Sequence, residues 1–327
     1  MNVLAIHPAS ATAAFIAEQM GLPGHDTYEN ACIIAHKDDF KRFAINNGIS
    51  VIPSQWFYSK EEAIEYIQTN SKFPMIIKPT DLGGGKGVNR VECVDDAIKA
   101  VSIAFEKSRS HSIVIEPYIE GTQHSITTFL INQKVISWIT FNEFDSIYNP
   151  FLVGYTTSPA DNMPDLGWRI IKEIENIAQK LNLADGIFHV QYRMDGDRPL
   201  IMECMRRCLG NHSLKTASML AGFEWEEWIA RAYCGMDCSK IPIVHESTKI
   251  MSHYYIQAPH NGTVKAVELS DRIAPFVKDS IMQWKKGMVI KNHTVEMLGF
   301  LFLEFPGTNT RESITREYSN LVKVHME

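Results

Sequence analysis

The 327-residue sequence contains no apolar run approaching the ~20 residues needed to cross a bilayer, so no transmembrane helix is expected. It has no excess of basic charge: 32 Lys and Arg stand against 38 Asp and Glu, a formal net charge of −6. No basic stripe with interleaved aromatics is present either, which argues against a general nucleic-acid binder. Cysteine is sparse. Six in a chain of this length do not make a disulfide framework, although Cys204/Cys208 and Cys234/Cys238 form two C-x3-C pairs that raise the question of zinc. Cys204 falls in an apolar strand pattern and the two pairs sit in differently patterned segments. Reduced thiols and a cytoplasmic location are therefore the expectation. The N-terminus, MNVLAIHPASATAAFIA, is apolar but lacks the basic start of a secretory signal. Internal repeats, low-complexity tracts and long disordered linkers are missing too. What remains is 45% apolar and 21% charged, an ordinary globular composition with length for two or three compact units.

Two familiar phosphate motifs are also absent, although the sequence comes close to both. In FPMIIKPTDLGGGKGV (Phe73 to Val88), Gly87 follows Lys86 where GxxxxGK[ST] needs Ser or Thr, and GxGxxG started at Gly85 ends on Arg90. Yet Gly83, Gly84, Gly85 and Gly87 crowd around Lys86. Four glycines in five positions suit neither helix nor strand interior; they suit a loop whose backbone must take unusual dihedrals and approach a ligand closely. Exposed N–H groups beside a lysine can cradle phosphate. The apolar run before Lys78 and the segment Val88–Cys93 make this loop a flap between two strands rather than a helix N-terminus.

Around this flap the chain reads as α+β. Val3–Ile6 is a short strand pattern. Ser10 is a candidate N-cap for a helix over Ala11–Met20, and helices over Asp26–Ala35 and Lys37–Asn47 follow. That is too little sheet for a separate α/β domain, so the first ~50 residues look like the end of something larger. Helices are expected at Ser59–Thr69, Val94–Lys107 and Met163–Leu181, the last with an apolar face of Ile170, Ile171, Ile174, Ile177, Ala178 and Leu181. SIVIE (112–116) is strand-like, and 123–142 reads as two paired strands turning near Asn132-Gln133. After Gly210 come helices over Asn211–Leu220 and Trp225–Tyr233. From Lys249 the pattern is strand-rich, and a last helix is expected from Asn309, with Glu312 at capping-box spacing, to about Val322.

The segment Ile187–Met205 carries the most chemistry. IFHVQYRM and PLIMECM flank an Asp-Gly turn. If Met194 faces Leu200, then Phe188, Val190, Tyr192, Met194, Leu200, Met202 and Cys204 share an apolar face, while His189, Gln191, Arg193 and Glu203 share the other. Gln191 then lies opposite Glu203, placing two oxygen ligands side by side, with Arg206 and Arg207 adding cations. A polar hairpin face can also be merely solvated. His189 on that face has a solvated or hydrogen-bonded role as its simplest reading.

Taken in order, IIKP, GGGKGV, IVIEPYIEG, a two-strand stretch, a long helix, HVQYRM and IMECMRRCLG resemble the ATP-grasp enzymes, over most of the chain from about Ala11 to the end. The carbamoyl-phosphate-synthetase and phosphoribosylglycinamide-synthetase branches are the most similar. The resemblance implies an α+β ATP-grasp fold of two lobes clamping ATP. It implies a remnant of the pre-ATP-grasp, Rossmann-like domain over residues 1–48, an ATP-grasp domain over 49–240 with its flap lobe at about 70–120, and a strand-rich C-terminal subdomain over 241–327. It further implies an ATP-dependent ligase that phosphorylates a small-molecule carboxylate to an acyl phosphate, which an amine attacks to form a C–N bond.

Carried onto matching positions, the resemblance makes Lys78, Lys86 and the loop glycines Gly83, Gly84, Gly85 and Gly87 phosphate contacts. Glu116, Tyr118 and Ile119 become the adenine hinge and Gln123 the ribose contact. Gln191 and Glu203 become ligands of Mg²⁺ (or Mn²⁺), and Arg207, with Lys86, the stabiliser of the acyl phosphate. No nucleic acid or membrane partner is implied. Three departures stand out. Met205 occupies a position where the family commonly has an amide or carboxylate, and a thioether is a poor ligand for a hard cation. Gln123 replaces a common glutamate. The N-terminal domain is short, which opens the alternative of a non-catalytic or partner-dependent ATP-binding module, with a homodimer or another chain completing it.

Overall fold

The computed structural model describes residues 9–327 apart from Ser71, Gly84, Asn162 and Glu246. The expected strand at Val3–Ile6 and the flap residue Gly84 lie outside the described residues. Three helices open the chain: α1 (Ala9–Met20), α2 (Tyr28–Ala35) and α3 (Lys37–Asn46). Ser10 lies within α1 rather than capping it. α2 is capped instead by Thr27, whose hydroxyl accepts from the Asn30 N–H.

The flap lobe is a four-stranded sheet in the order β1-β4-β2-β3, with β1 (Gln55–Phe57), α4 (Lys60–Thr69), β2 (Met75–Pro79), β3 (Asn89–Val91), α5 (Val94–Lys107) and β4 (Ile113–Pro117) following one another in sequence. Ser59 caps α4 through the Glu62 N–H, as its position before an acidic first turn predicts. α5 buries Ala97, Ala100, Val101, Ala104 and Phe105, a stripe at helical spacing, against Met75, Ile77, Ile113 and Ile115. Strand alternation leaves Ile76, Lys78 and Glu116 on the opposite, cleft-facing side.

The second sheet has eight antiparallel strands in the order β12-β14-β10-β7-β6-β5-β8-β9. The elements after β4 follow in chain order as β5 (Gln123–Ile131), β6 (Lys134–Ser146), β7 (Asn149–Ser158), α6 (Met163–Lys180), β8 (Gly186–Asp195), β9 (Arg198–Met205), α7 (Ser213–Ala221), α8 (Trp225–Tyr233), β10 (Ile250–Gln257), β11 (Gly262–Leu269), β12 (Val277–Met282), β13 (Val289–Ile290) and β14 (Met297–Phe305). β5 and β6 turn at Asn132 and Gln133, both with positive φ, which places Ile131 opposite Lys134. α6 packs Ile170, Ile174 and Ile177 on one face of the sheet, against Ile126, Leu130, Phe188 and Val190. α7 and α8 cover Phe129, Phe141 and Ile187 with Leu214, Trp225 and Ile229. Each such fully buried aliphatic side chain contributes about 1.5–3 kcal/mol.

The strand-rich C-terminal segment gives β10, β12 and β14 to this same sheet, while β11 and β13 join β15 (Val322–Met326) in a small three-stranded one. The helix expected from Asn309 to Val322 is corrected. α9 (Thr308–Thr315) begins after Gly307 without a side-chain cap, α10 (Tyr318–Leu321) is a single turn, and pairing with β11 draws the chain from Val322 into a strand. β7 had no counterpart in the sequence pattern.

Candidate functional site

A cavity of about 950 Å³ lies between the two sheets. The flap-lobe wall holds Lys78, Glu116, Tyr118 and Ile119, and the facing wall holds Gln123, His189, Gln191, Glu203, Met205 and Arg207. Gly83 and Gly85 of the flap also line it. Gly85 has φ +70°, and a Cβ there would stand 2.6 Å from the Phe151 carbonyl oxygen, so the flap rests on β7 through a contact that only glycine permits. Lys86 and Gly87 are not among the lining residues; Lys86 is exposed on the flap.

The β8–β9 hairpin corrects the expected register near its turn. Gly196 (φ +60°) and Asp197 form a two-residue turn that pairs Asp195 with Arg198, so Met194 meets Pro199 and not Leu200. An irregularity between Gln191 and Tyr192 then absorbs one residue, and Gln191 pairs with Glu203 as expected. The extra residue moves Met202 to the cavity and puts Ile201 on the core face with Tyr192. Arg206 is corrected too. It is buried on the far side, donating to both carboxylate oxygens of Asp26 and to the carbonyls of Ala184 and Ile187, and it leaves Arg207 as the cation in the cavity.

Around Glu116 the chain builds a cationic cage. Lys78 Nζ donates to Oε2 at 2.6 Å, Ser54 Oγ to Oε1 at 2.7 Å, and Lys41 Nζ lies 3.3 Å from Oε1. Burial opposes ionisation of this carboxyl, but Lys41 and Lys78 outweigh it and hold its pKa at about 2. Lys41 is itself buried on α3 and also donates to the carbonyls of Ile52 and Ile201, stitching the helical segment to β9.

Glu203 is half-buried, with Lys37 Nζ 3.4 Å away; that same ammonium donates to the Leu82 carbonyl at the root of the flap. Burial pushes the Glu203 pKa up, and Lys37, Lys78 and Arg207 more than reverse it, so the group is an anion. Gln191 gives its Nε2 hydrogen to Glu143 Oε2 at 2.8 Å, which reserves its carbonyl oxygen as an acceptor beside Glu203. Glu143 on β6 takes a second bond from Gln123 Nε2, also at 2.8 Å. Burial, with the charge of Glu203 adding to it, raises the Glu143 pKa despite the hydrogen bonds it accepts. His189 is buried and hydrogen-bonded to Thr127 Oγ1 at 2.9 Å, and burial lowers its pKa to about 3, so it is neutral.

The donor set fits a nucleotide triphosphate with a hard cation. Glu203 and the Gln191 carbonyl are oxygen ligands, Mg²⁺ commonly takes one or two carboxylates plus phosphate oxygens, and the nearby ammonium groups suit phosphates. Met205 lines the same wall and offers such a cation no oxygen. Four site residues escaped the sequence reading. Lys37 and Lys41 sit one helical turn apart in HKDDFKRF, a signal obscured by its charged neighbours. Ser54 lies in a loop. Glu143 lies on β6 just past the stretch 123–142 read as paired strands, and Asp145 two residues on gives it no local distinction. Among the described residues no cluster of three or more metal-ligating His, Cys, Asp or Glu side chains occurs, no disulfide joins any of the six cysteines, and no helix is long and apolar enough to cross a membrane.

Comparison with known proteins agrees with this fold. Residues 35–150 match the family model of the phosphoribosylglycinamide synthetase, ATP-grasp (A) domain. The D-alanine–D-alanine ligase of Wigglesworthia glossinidia brevipalpis is 30% identical over 155 residues, covering 46% of this chain and 43% of that protein. The C-terminal section of the carbamoyl phosphate synthase large chain of Methanocaldococcus jannaschii is 19% identical over 254 residues, 77% of this chain and 40% of that one. The chain thus spans under half the length of either relative. The crystal structure of an L-amino acid ligase from Bacillus licheniformis superposes with a TM-score of 0.83 at 19% identity, covering 98% of this chain and 80% of that one.

Proposed function

The chain belongs to the ATP-grasp superfamily, and on that premise we propose that it is an ATP-dependent carboxylate–amine ligase acting through an acyl phosphate. The observation that carries this reading is the meeting of Lys78 and Lys37 with the Gln191–Glu203 oxygen pair and Arg207 across one cavity beneath a glycine flap.

In this reading Lys78 and Lys37 hold phosphate oxygens, and the flap backbone at Gly83 and Gly85 closes over them to exclude water. Lys86 joins only if closure carries it inward. Glu116, kept anionic by its cage, presents an acceptor toward the base, with Tyr118 and Ile119 alongside and Gln123 toward the ribose. Glu203 and Gln191 would hold Mg²⁺, or Mn²⁺, which when bound would supply positive charge to offset the charge of the transferring phosphoryl group. Arg207 stabilises the carboxylate oxygens and then the acyl phosphate. Met205 in the family's amide position leaves one metal ligand fewer, and this favours a second reading, a module that binds ATP and depends on a partner for turnover. A cytoplasmic location, action on small molecules and a homodimer or partner chain belong to the proposal as well.

Calorimetry of ATP binding with and without Mg²⁺, on the wild type and Glu203→Ala, tests it. Mg²⁺-dependent binding lost in the variant, together with carboxylate-dependent ADP release by the wild type, is expected. Binding without ADP release under any carboxylate and amine combination selects the second reading, and no binding at all overturns both.

A further inference from the structure

The cavity has two chemically different ends. Its charged end is described above. Its other end is walled by Val153, Leu209, Tyr255, Val295, Met297 and Phe300, and no Lys or Arg lines that wall. The two ends meet because the loop after β9 bridges them: four residues beyond Arg207, Asn211 Nδ2 donates to the Tyr255 hydroxyl at 2.7 Å. Tyr255 and Phe300 face each other directly across β10 and β14, with ring centroids 5.3 Å apart, and both are almost fully buried. Residues from opposite halves of the eight-stranded sheet, Glu203 on β9 and Phe300 on β14, therefore line one continuous space. Asp145 also lines the cavity and stands opposite Val153 in the β6–β7 ladder. A phosphorylated or second carboxylate group seated against Tyr255, Met297 and Phe300 would face apolar side chains and share the space with the Asp145 carboxylate, on which Arg193 already acts.

We propose that the carboxylate taken by this enzyme has a bulky apolar body, of the size of a leucine, methionine or phenylalanine side chain, seated against Tyr255, Met297 and Phe300 with its carboxylate at Arg207. The inference rests on the acyl-phosphate reading above and sharpens it to a substrate class. An apolar wall with a few convergent polar groups at one end is how such sites fix orientation and selectivity together. An added anionic group is rejected more strongly than a missing methylene, because it enters with its desolvation uncompensated.

Hydroxylamine trapping tests the carboxylate alone, with no need to know the natural amine. A carboxylate oxygen attacks the γ-phosphorus, the bond to the β-phosphate oxygen breaks and ADP leaves. The nitrogen of hydroxylamine then attacks the acyl carbon, the carbon–oxygen bond to phosphate breaks, inorganic phosphate leaves and the displaced proton goes to solvent. The full chain, supplied with ATP, Mg²⁺ and hydroxylamine, is expected to form hydroxamates from leucine, methionine or phenylalanine at least tenfold faster than from aspartate, glycine or bicarbonate. Met297→Glu and Val153→Glu, at half-exposed wall positions that tolerate a polar group, should raise KM for the apolar acid at least tenfold with the ATP Kd unchanged. Turnover of aspartate or bicarbonate without turnover of the apolar acids overturns the substrate class while leaving the ligase reading intact. So does an unchanged KM in both variants. Hydroxamate from no carboxylate, with ATP bound, overturns the class and the ligase reading together.

Discussion

Two buried glutamates face the cleft region from opposite sheets and are treated in opposite ways. Glu116 on β4 is surrounded by ammonium groups and its pKa is held at about 2. Glu143 on β6 is equally buried, but its neighbours are neutral amides, Gln123 and Gln191, and its pKa is raised. Burial acts in the same direction on both; the charge of the neighbours decides the sign. A carboxylate among lysines is a fixed anion that organises cations. One among amides is an orienting group that fixes which end of each amide faces the ligand. Substituting each in turn should separate these roles.

The largest effect is expected from Glu116→Gln. The swap keeps the shape but leaves Lys41, 2% exposed, as a buried cation without its counter-ion. Removing one partner of such a pair costs about 3–5 kcal/mol. Urea unfolding at neutral pH should show that loss, whereas a change below about 1 kcal/mol would mean that Lys41 reaches water or sheds its proton in the folded state.

The pH profile comes next. A carboxyl whose folded pKa is lowered stabilises the protein above its unfolded value of 4.5 and loses that contribution as pH falls toward about 2, a total of about 3 kcal/mol. Buried His189 and His253, with pKa values lowered to about 3, add a loss that starts earlier, near pH 6.5, because only the unfolded chain takes up their protons. Subtracting the Glu116→Gln profile from the wild-type profile cancels the histidines and should leave a limb confined to pH 4.5–2. A flat difference would show that the cage does not hold the charge.

Glu143→Gln should behave otherwise. Stability should change by only about 1 kcal/mol, since a neutral acceptor replaces a charge that burial already disfavours. Gln191, however, then faces an amide that can present either its carbonyl or its NH2 end, so its own orientation is no longer fixed. Partners of this kind are worth 10–100-fold in metal affinity, so the Mg²⁺ concentration for half-maximal ATP binding should rise about tenfold. Equal loss of stability and of metal response would make Glu143 structural.

The contrast also shows what could be read from the sequence. Gln191 and Glu203 were legible because strand alternation put them on one face, and Lys78 and Glu116 because the order of their motifs resembles a known family; all four line the cavity. Even a wrong turn register left Gln191 opposite Glu203, as one irregularity within β8–β9 restored the pairing. Glu143, Lys41 and Ser54 were not legible, since their roles arise from strand order and from a helix laid across β9, both of them long-range facts. β7 was missed because its first half lines the cavity with apolar residues on a polar-looking stretch, and the end of the last helix because pairing with β11 overrides local propensity. The expected inward lysine, Lys86, depends on the position of the flap and not on any pattern in its sequence.

Met205→Asn should give the smallest effect and bears most directly on the metal reading. Met205 lines the cavity two residues after Glu203, pairs with His189 across the hairpin and so shares the Glu203 side of β9. A thioether there contributes no oxygen, while an asparagine carbonyl would add one beside Glu203 and Gln191. The gain is limited because Lys37, 3.4 Å from Glu203, already neutralises part of the negative charge that draws a cation in. A several-fold drop in the Mg²⁺ needed for ATP binding is therefore expected, with little change in melting temperature. An unchanged Mg²⁺ response would place the cation away from the end of β9, and Glu203 would then be the partner of Lys37 in its own right and not a ligand shared with it.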